Sequence, residues 1–182
     1  MKLHYRDFSE WQNNLFAGPG IKKQEEYWLQ QFEGEIPQLN LPLDYPRPAI
    51  HSAHNDSIYF RVNPELTKKI KTLQVENGTT AYMVLLAVYS LLISRYADQN
   101  DIIVGSGIAG RRHADLQNIV GMFVNMLVIR LHIREEMSFL KFLELVREHA
   151  INAFDNQDYQ FDELVNRLGI VSQPNRNPLF DT

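Results

Sequence analysis

The residues best able to do chemistry lie in a polar, glycine-bounded loop over 110–121. Of the six histidines, only His113 lies in such a loop beside charged residues such as Arg111, which makes it the best single candidate for acid–base work. A solvated loop histidine is the alternative. The sequence contains neither a His-Glu-x-x-His metal motif nor a Gly-x-Ser-x-Gly nucleophile elbow. Asp158 and Asp162 fit helix capping better than paired-carboxylate catalysis, so no catalytic constellation is complete.

A glycine-dense stretch just before this loop raises the question of nucleotide binding. Gly105-Ser-Gly-Ile-Ala-Gly110 nominally matches the Gly-x-Gly-x-x-Gly fingerprint and follows a predicted strand. The fingerprint requires an apolar-periodic helix after the glycines. Here Arg-Arg-His-Ala-Asp and another predicted strand follow, so the sequence does not favour dinucleotide binding.

Composition limits the classes of function further. The chain has 182 residues, 45% of them hydrophobic, which predicts one domain with a real core. The net charge of −4 gives no electrostatic reason to expect nucleic acid or an anionic membrane as partner. Cysteine is absent, so no disulfide, thiolate nucleophile or Cys-based zinc site can form, and no metal site is predicted. The start of the chain lacks the apolar core of a signal peptide, and we expect a cytoplasmic protein.

Periodicity predicts the elements that must position the loop. Alternating helices and strands favour an α/β sandwich in which helices pack on a mixed sheet. The apolar segment 81–96 is short for a membrane span and is predicted to be a helix buried between layers. We expect helices over 22–33, 63–78, 79–96, 138–154 and 161–168, strands over 57–62, 101–105 and 122–133, a terminal aromatic-striped helix at 5–11, an extended connector at 36–48 and an extended tail at 172–182.

The stretch Val120-Gly-Met-Phe-Val-Asn-Met-Leu-Val-Ile-Arg130 is the centre of this arrangement. Its second half is a buried strand by composition. Its first half places Gly121, Phe123 and Asn125 together, and glycine tolerates close approaches that other residues cannot. A strand entered through a tight bend is the simplest interpretation, and backbone shaped for a functional purpose is the other.

Four stretches, in order along the chain, resemble motifs of the condensation domain of nonribosomal peptide synthetases. They are 5–11, which resembles Y-x-D-[FY]-x-x-W; 120–130, which resembles [IV]-G-x-F-V-N-T-x-x-x-R; 156–162, which resembles H-Q-D-Y-P-F-E; and 175–180, which resembles S-R-N-P-L-F. Met126, Asn156, Gln160 and Asn175 depart from the family's residues. The family's catalytic His-His-x-x-x-Asp-Gly motif is absent, since the chain has no adjacent histidine pair.

The resemblance implies that residues 1–182 form the C-terminal, acceptor-side lobe of such a domain, with a chloramphenicol-acetyltransferase-like fold. The histidine motif would lie in an N-terminal lobe, so no catalytic residue is expected in this chain, and the chain alone should be inactive. The intact domain would join a donor acyl or peptidyl thioester to an acceptor aminoacyl thioester as an amide. Both substrates would ride on phosphopantetheine arms of peptidyl carrier proteins, beside an adenylation domain, with no cofactor bound directly.

The resemblance also assigns roles to individual residues. Gly121, Phe123 and Asn125 would form one wall of the substrate tunnel, with Asn125 facing the active centre. Candidates for the loop that floors the tunnel are Gly110, Arg111 and His113. Structural roles fall to Tyr5, Asp7, Trp11, Arg130, Gln157, Asp158, Tyr159, Arg176 and Asn177, with Arg130 and Arg176 expected to pair with carboxylates as bidentate donors.

Three other functions remain open at this stage. The chain could be a non-catalytic docking or scaffold module for carrier proteins, a relative that carries out epimerisation or cyclisation, or a free-standing acyltransferase that uses His113. A lobe without its partner should also expose apolar surface, which favours self-association.

Overall fold

The computed structural model describes residues 3–50 and 56–182, and these ranges contain eight regular elements, a main hydrophobic core and a smaller cluster around Phe123. They are α1 (Tyr5–Ala17), α2 (Lys22–Gln31), α3 (Pro64–Asn77), α4 (Ala81–Ala97), β1 (Asp101–Ile108), β2 (Asn125–His132), α5 (Phe139–Asp155) and α6 (Phe161–Leu168), with 3₁₀ turns at Pro19–Ile21 and Ala114–Leu116. The predicted helices are therefore confirmed in position and order.

Local sequence signals account for most of the helix ends. Asn63 accepts a hydrogen bond from the backbone N–H of Leu66 and begins α3, and Gly78 ends it in the left-handed region at φ +58°. Thr80 begins α4 and Ser138 begins α5, each by accepting a hydrogen bond from a backbone N–H three residues later. These local hydrogen bonds define where each helix starts.

The two strands form an antiparallel pair at the centre of the fold. Asp101 lies opposite His132 at one end, and Ile108 lies opposite Asn125 at the other. α4 and α5 pack against each other, α4 packs on β1 and α5 on β2, and the shared interior contains the fully buried side chains of Ile102, Leu127, Leu131, Phe142, Leu143 and Val146. β2 thus brings Asn125 to a fixed position at the end of a buried strand.

Three predictions about the sheet differ from the structure. The sheet of the described residues is purely antiparallel and not mixed. The predicted strand over 57–62 is extended but unpaired, and its apolar side chains are exposed, with Ile58 at 92% and Phe60 at 83%. A strand needs a neighbour to satisfy its backbone groups, and none of the described residues provides one there. The strand predicted over 122–133 begins later than expected, at Asn125, because residues 122–124 belong to the irregular segment before it.

α4 was predicted to be buried on most sides, and this is wrong for one face. Its inner face is buried, but Leu85 is 58% exposed, Leu92 is 51% exposed and Tyr96 is 64% exposed. α4 packs against α3, α5 and β1 through its other sides, and among the described residues no further layer covers this outer side. Within the described ranges no single helix is long and apolar enough to cross a membrane. α3 and α4 taken together, with a bend of 104° between them, would be long and apolar enough by length and composition only.

Candidate functional site

A cleft of about 490 Å³ lies between α1, the loop over 110–121 and the loop over 156–160. Its apolar wall includes Trp11 and Phe123, and its polar wall includes Arg112, His113 and Asp158. The sequence-predicted residues Asp7, Trp11, Gly110, His113, Phe123, Asn125, Gln157 and Asp158 all border this cleft, whereas Arg130, Arg176 and Asn177 lie elsewhere. Three of the four motif stretches therefore meet at one place, and the fourth does not.

α1 is fixed to the cleft by an aromatic cluster. The Tyr5 hydroxyl donates a hydrogen bond to the carbonyl of Met122 at 2.7 Å. The Tyr5 ring meets Phe123 edge-on with centroids 5.2 Å apart, and the Phe8 ring lies 4.5 Å from the same phenylalanine. Asp7 closes the start of α1 by accepting a hydrogen bond from the backbone N–H of His4 at 2.8 Å. The first motif thus attaches a helix to the loop and leaves Trp11, 46% exposed, at the cleft surface.

Two glycines permit the close packing around this cluster. A Cβ on Gly121 would lie 2.2 Å from the ring of Tyr5. A Cβ on Gly110 would lie 1.8 Å from the carbonyl oxygen of Phe123, and Gly110 also has φ at +64°. Both positions therefore require glycine for packing, and neither needs a contact with substrate to explain it.

Arg111 was predicted to lie on the tunnel floor, but its side chain turns into the loop. It donates to the carbonyls of Leu116 and Ile119, the latter at 2.9 Å, and to that of Gly121 at 3.4 Å. Its guanidinium lies 4.1 Å from the centroid of the Phe123 ring. The guanidinium therefore holds the loop in shape from inside and does not border the cleft.

Asn125 is buried at 6% exposure, and its amide is bonded to backbone on every side. Its Nδ2 donates to the carbonyls of Gln157 at 3.0 Å and Tyr159 at 2.9 Å. Its Oδ1 accepts from the N–H groups of Met126 at 2.8 Å and Phe161 at 3.2 Å. An amide has two N–H donors and two acceptor lone pairs, so a substrate contact would require one of these bonds to break. The side chain borders the cleft, yet it connects β2 to the loop that precedes α6.

Two residues of α2 hold the same loop from its other side. The Oε1 of Gln24 accepts hydrogen bonds from the backbone N–H groups of Asp158 and Tyr159, each at 3.1 Å. The indole of Trp28 donates to the carbonyl of Asn156 at 2.9 Å. Sequence reasoning missed Gln24, although its position four residues before an apolar-face tryptophan was a usable signal, since such pairs share one helix face. Burial raises the pKa of Tyr159, a buried residue of this loop.

One ion pair lies at the cleft, which is also bordered by the carboxylates of Asp7 and Asp115. Arg112 contacts the carboxylate of Asp158 at 2.5 Å. His113 is exposed, and among the described residues no carboxylate lies within ion-pair distance of it. A general base needs a partner that orients it, so the acid–base role predicted for His113 gains no support from this geometry.

The remaining motif arginines stabilise the fold away from the cleft. Buried Arg130 pairs with both carboxylate oxygens of Asp101 and donates to three carbonyls at and beyond the end of α2, the shortest at 2.6 Å to Glu35. Arg176 contacts Asp181 at 3.0 Å through a single nitrogen, so the bidentate geometry predicted for it is not present. Arg47 contacts the same carboxylate at 3.3 Å.

The last two predicted structural residues form local contacts. Gln157 donates to the carbonyl of Phe154 at 2.6 Å and thereby closes the end of α5. Asn177 accepts a hydrogen bond from the N–H of Leu179 at 3.4 Å, within the extended tail.

Comparison with known proteins adds independent observations. The family model described as Condensation domain matches residues 1–182. Bacitracin synthase 3 of Bacillus licheniformis is 48% identical over 182 residues, which are 100% of this chain and 3% of that synthase. Tyrocidine synthase 3 of Brevibacillus parabrevis is 49% identical over 182 residues, with the same two shares. In a solved complex of the X-domain and OxyB from teicoplanin biosynthesis, the matching chain has a TM-score of 0.90 at 22% identity, over 97% of this chain and 40% of that chain. The predicted α/β class and chloramphenicol-acetyltransferase-like fold are confirmed.

Proposed function

Because the chain belongs to the Condensation domain family over its whole length, we propose that it is the C-terminal, acceptor-side lobe of a nonribosomal peptide synthetase condensation domain. The chain spans about 3% of the length of the two synthases compared above. The activity of a whole condensation domain is therefore part of the proposal. The observation that supports the proposal most directly is the convergence of three motif stretches on one cleft.

The reaction proposed for the assembled domain is amide formation between two tethered thioesters. The acceptor amine attacks the donor thioester carbonyl; a C–N bond forms, the C–S bond breaks, and the amine proton is transferred as the phosphopantetheine thiol leaves. This chain supplies a wall for that reaction: the apolar side of the cleft, with Trp11 and Phe123, suits the aliphatic part of a pantetheine arm. Much of the rate would come from holding the two substrates close together. The histidine that orients or deprotonates the amine is expected on the N-terminal lobe, and the chain alone is expected to be inactive.

The partners proposed are that lobe, the peptidyl carrier proteins and an adjacent adenylation domain, with phosphopantetheine carried by the carrier proteins. Two exposed apolar surfaces support the proposal that a partner packs on this chain. They are the outer side of α4 and the unpaired segment 57–62, where Tyr59 is 92% exposed. Surfaces of this kind favour self-association when the partner is absent. Sedimentation velocity at rising concentration should show a dimer, and a clean monomer at high concentration would contradict this expectation.

Activity in trans tests the proposal. The chain is mixed with the separately produced upstream half of a related condensation domain, together with donor- and acceptor-loaded carrier proteins, and amide product is measured by mass spectrometry. Product only when both halves are present supports the proposal. Product from the chain alone would overturn it and would return attention to His113. The matched control is the upstream half with its histidine motif changed to alanine, which should give no product.

A scaffold function is the second candidate, and two observations favour it. The side chain of Asn125 is fully bonded to backbone, so the residue expected to touch substrate has no unbonded polar group. The fold is also that of an X-domain that was solved in complex with OxyB. If the chain binds carrier proteins but no upstream half restores product, the scaffold function is preferred.

A further inference from the structure

A line of three polar side chains runs from α2 to the cleft. Gln24, half-buried on α2, donates through Nε2 to Oδ2 of Asp158 at 3.1 Å. The same Oδ2 accepts a hydrogen bond from Nη1 of Arg112 at 2.5 Å. Arg112 and Asp158 border the cleft, whereas Gln24 lies behind it. One carboxylate oxygen is therefore shared between an amide outside the cleft and a guanidinium at its surface.

The chemistry of this line requires an amide at residue 24. Its Oε1 accepts from the backbone N–H groups of Asp158 and Tyr159, while its Nε2 donates to the Asp158 carboxylate. Among side chains of this length only glutamine supplies an acceptor and a donor together, since a glutamate at neutral pH can only accept. Gln24 thus fixes both the backbone and the side chain of Asp158.

Arg112 is the group that this arrangement presents to a ligand. Its side chain is 42% exposed, and the ion pair uses one nitrogen of a guanidinium that has five N–H donors. The Asp158 side chain is 19% exposed, so the pair is only partly screened by water. A guanidinium held in this way suits a hydrogen-bond acceptor such as an amide or thioester carbonyl.

We propose that Gln24 is a positioning residue, which holds Arg112 at the cleft through Asp158 so that Arg112 can bind carbonyl groups of a tethered substrate. The substrate part of this inference rests on the proposed function. The positioning part concerns only contacts inside this chain and can be tested without activity.

Two variants of the chain alone separate the two tasks of Gln24. Gln24→Ala removes the acceptor for two backbone N–H groups, so hydrogen exchange at Asp158 and Tyr159 should become several-fold to about tenfold faster. Gln24→Glu keeps that acceptor but replaces the donor with a carboxylate facing Asp158. Hydrogen exchange at Asp158 and Tyr159 should then stay near the parent rate, whereas rotation of the Arg112 guanidinium, measured by NMR, should become several-fold faster.

Gln30 lies exposed on the same helix, so Gln30→Ala and Gln30→Glu are matched controls. Neither control should change the exchange rates or the rotation of Arg112. Unchanged Arg112 rotation in Gln24→Glu overturns the positioning role.

Steady-state kinetics of the reassembled enzyme test the link to substrate. Gln24→Glu and Arg112→Ala should each raise KM for the carrier-bound substrate about three- to tenfold, with kcat within twofold. Because Gln24 acts through Arg112, the double variant should be no worse than Arg112→Ala alone. If the increases in KM of the two single variants multiply in the double variant, the proposal is overturned. If no activity appears with any variant, the proposed function fails while the NMR and exchange results still decide the positioning role.

Discussion

Replacing Asn125 by alanine should lower the free energy of unfolding. The expected loss is larger than the loss of a single contact with substrate would explain. The change removes four hydrogen bonds between a buried amide and backbone groups of β2 and the 157–161 segment. Each such bond contributes about 0.5–1.5 kcal/mol net, and the abandoned backbone groups stay buried, so the loss should be about 2–6 kcal/mol. A loss near the middle of that range lowers the Tm of a domain of this size by roughly 8–16 °C.

The assay is urea unfolding followed by circular dichroism, with the parent and Asn118→Ala measured alongside. Asn118 is an exposed asparagine in the neighbouring loop, and its side chain makes no hydrogen bond within the described ranges, so its replacement should cost less than about 0.5 kcal/mol. A loss of unfolding free energy below about 1 kcal/mol in Asn125→Ala would refute the structural role of this amide between β2 and the loop before α6. It would restore the view that the amide binds substrate. In the reassembled enzyme Asn125→Ala should also slow amide formation, because the loop over 156–160 forms part of the cleft.

Asn125→Asp sharpens the test through its pH dependence. A carboxylate would place an oxygen where Nδ2 now faces the carbonyls of Gln157 and Tyr159. Those carbonyls disfavour the charged form, so the folded-state pKa of the new carboxyl would be raised above its unfolded value. A raised pKa means that the penalty is fully present above the folded pKa and lessens as the pH falls through the folded pKa towards the unfolded value. The gap in stability between parent and variant should therefore narrow on acidification, and a constant gap would contradict the geometry.

Three further predictions test the packing around the site and the core. Gly121→Ala should cost about 1–3 kcal/mol and shift tryptophan emission, because its Cβ would lie 2.2 Å from Tyr5, whereas Gly20→Ala, with its nearest atom at 3.6 Å, should not. Arg130→Met should lower the unfolding free energy by about 3–5 kcal/mol, and the added Asp101→Leu should recover part of it; a purely additive loss would argue against the ion pair. Burial lowers the pKa of His149 from 6.5, so its folded form favours the neutral ring, and the stability that it contributes is lost as the pH falls below 6.5. His149→Gln should flatten that part of the stability curve measured by thermal unfolding, and an unchanged slope would contradict the assignment.

The parts of this structure that the sequence predicted well are those decided by short-range chemistry. Helix starts are predicted by local hydrogen-bonding residues at three positions, Asn63 (followed by Pro64), Thr80 and Ser138, and the structure contains those helices. The segment 57–62 looked like a strand by alternation, but strand formation depends on a neighbour that alternation does not reveal. The extent to which α4 is covered depends likewise on distant parts of the chain.

For the site, residue type predicted the neighbourhood but not the direction of the side chains. An amide near a glycine and an aromatic residue could face either a substrate or a backbone, and only the three-dimensional position of Gln157 and Tyr159 decides this for Asn125. Arg111 was equally undetermined, because its carbonyl partners lie in an irregular loop whose path no periodicity describes. Gln24 escaped notice since its contacts are 134 and 135 residues away along the chain.

The directions of these side chains bear on where specificity can lie. Tyr5, Arg111 and Asn125 donate to backbone carbonyls, and every residue type offers the same carbonyl. Such contacts can hold one cleft shape while other side chains vary around it. Gln160 is different: it replaces the proline of the family motif, borders the cleft and donates weakly to the carbonyl of Asp158 at 3.3 Å. Proline lacks both that amide and a backbone N–H. We therefore expect Gln160→Pro to change the preference between acceptor substrates while leaving the fold and the Arg112 ion pair intact, and competition between two loaded carrier proteins would measure that preference directly.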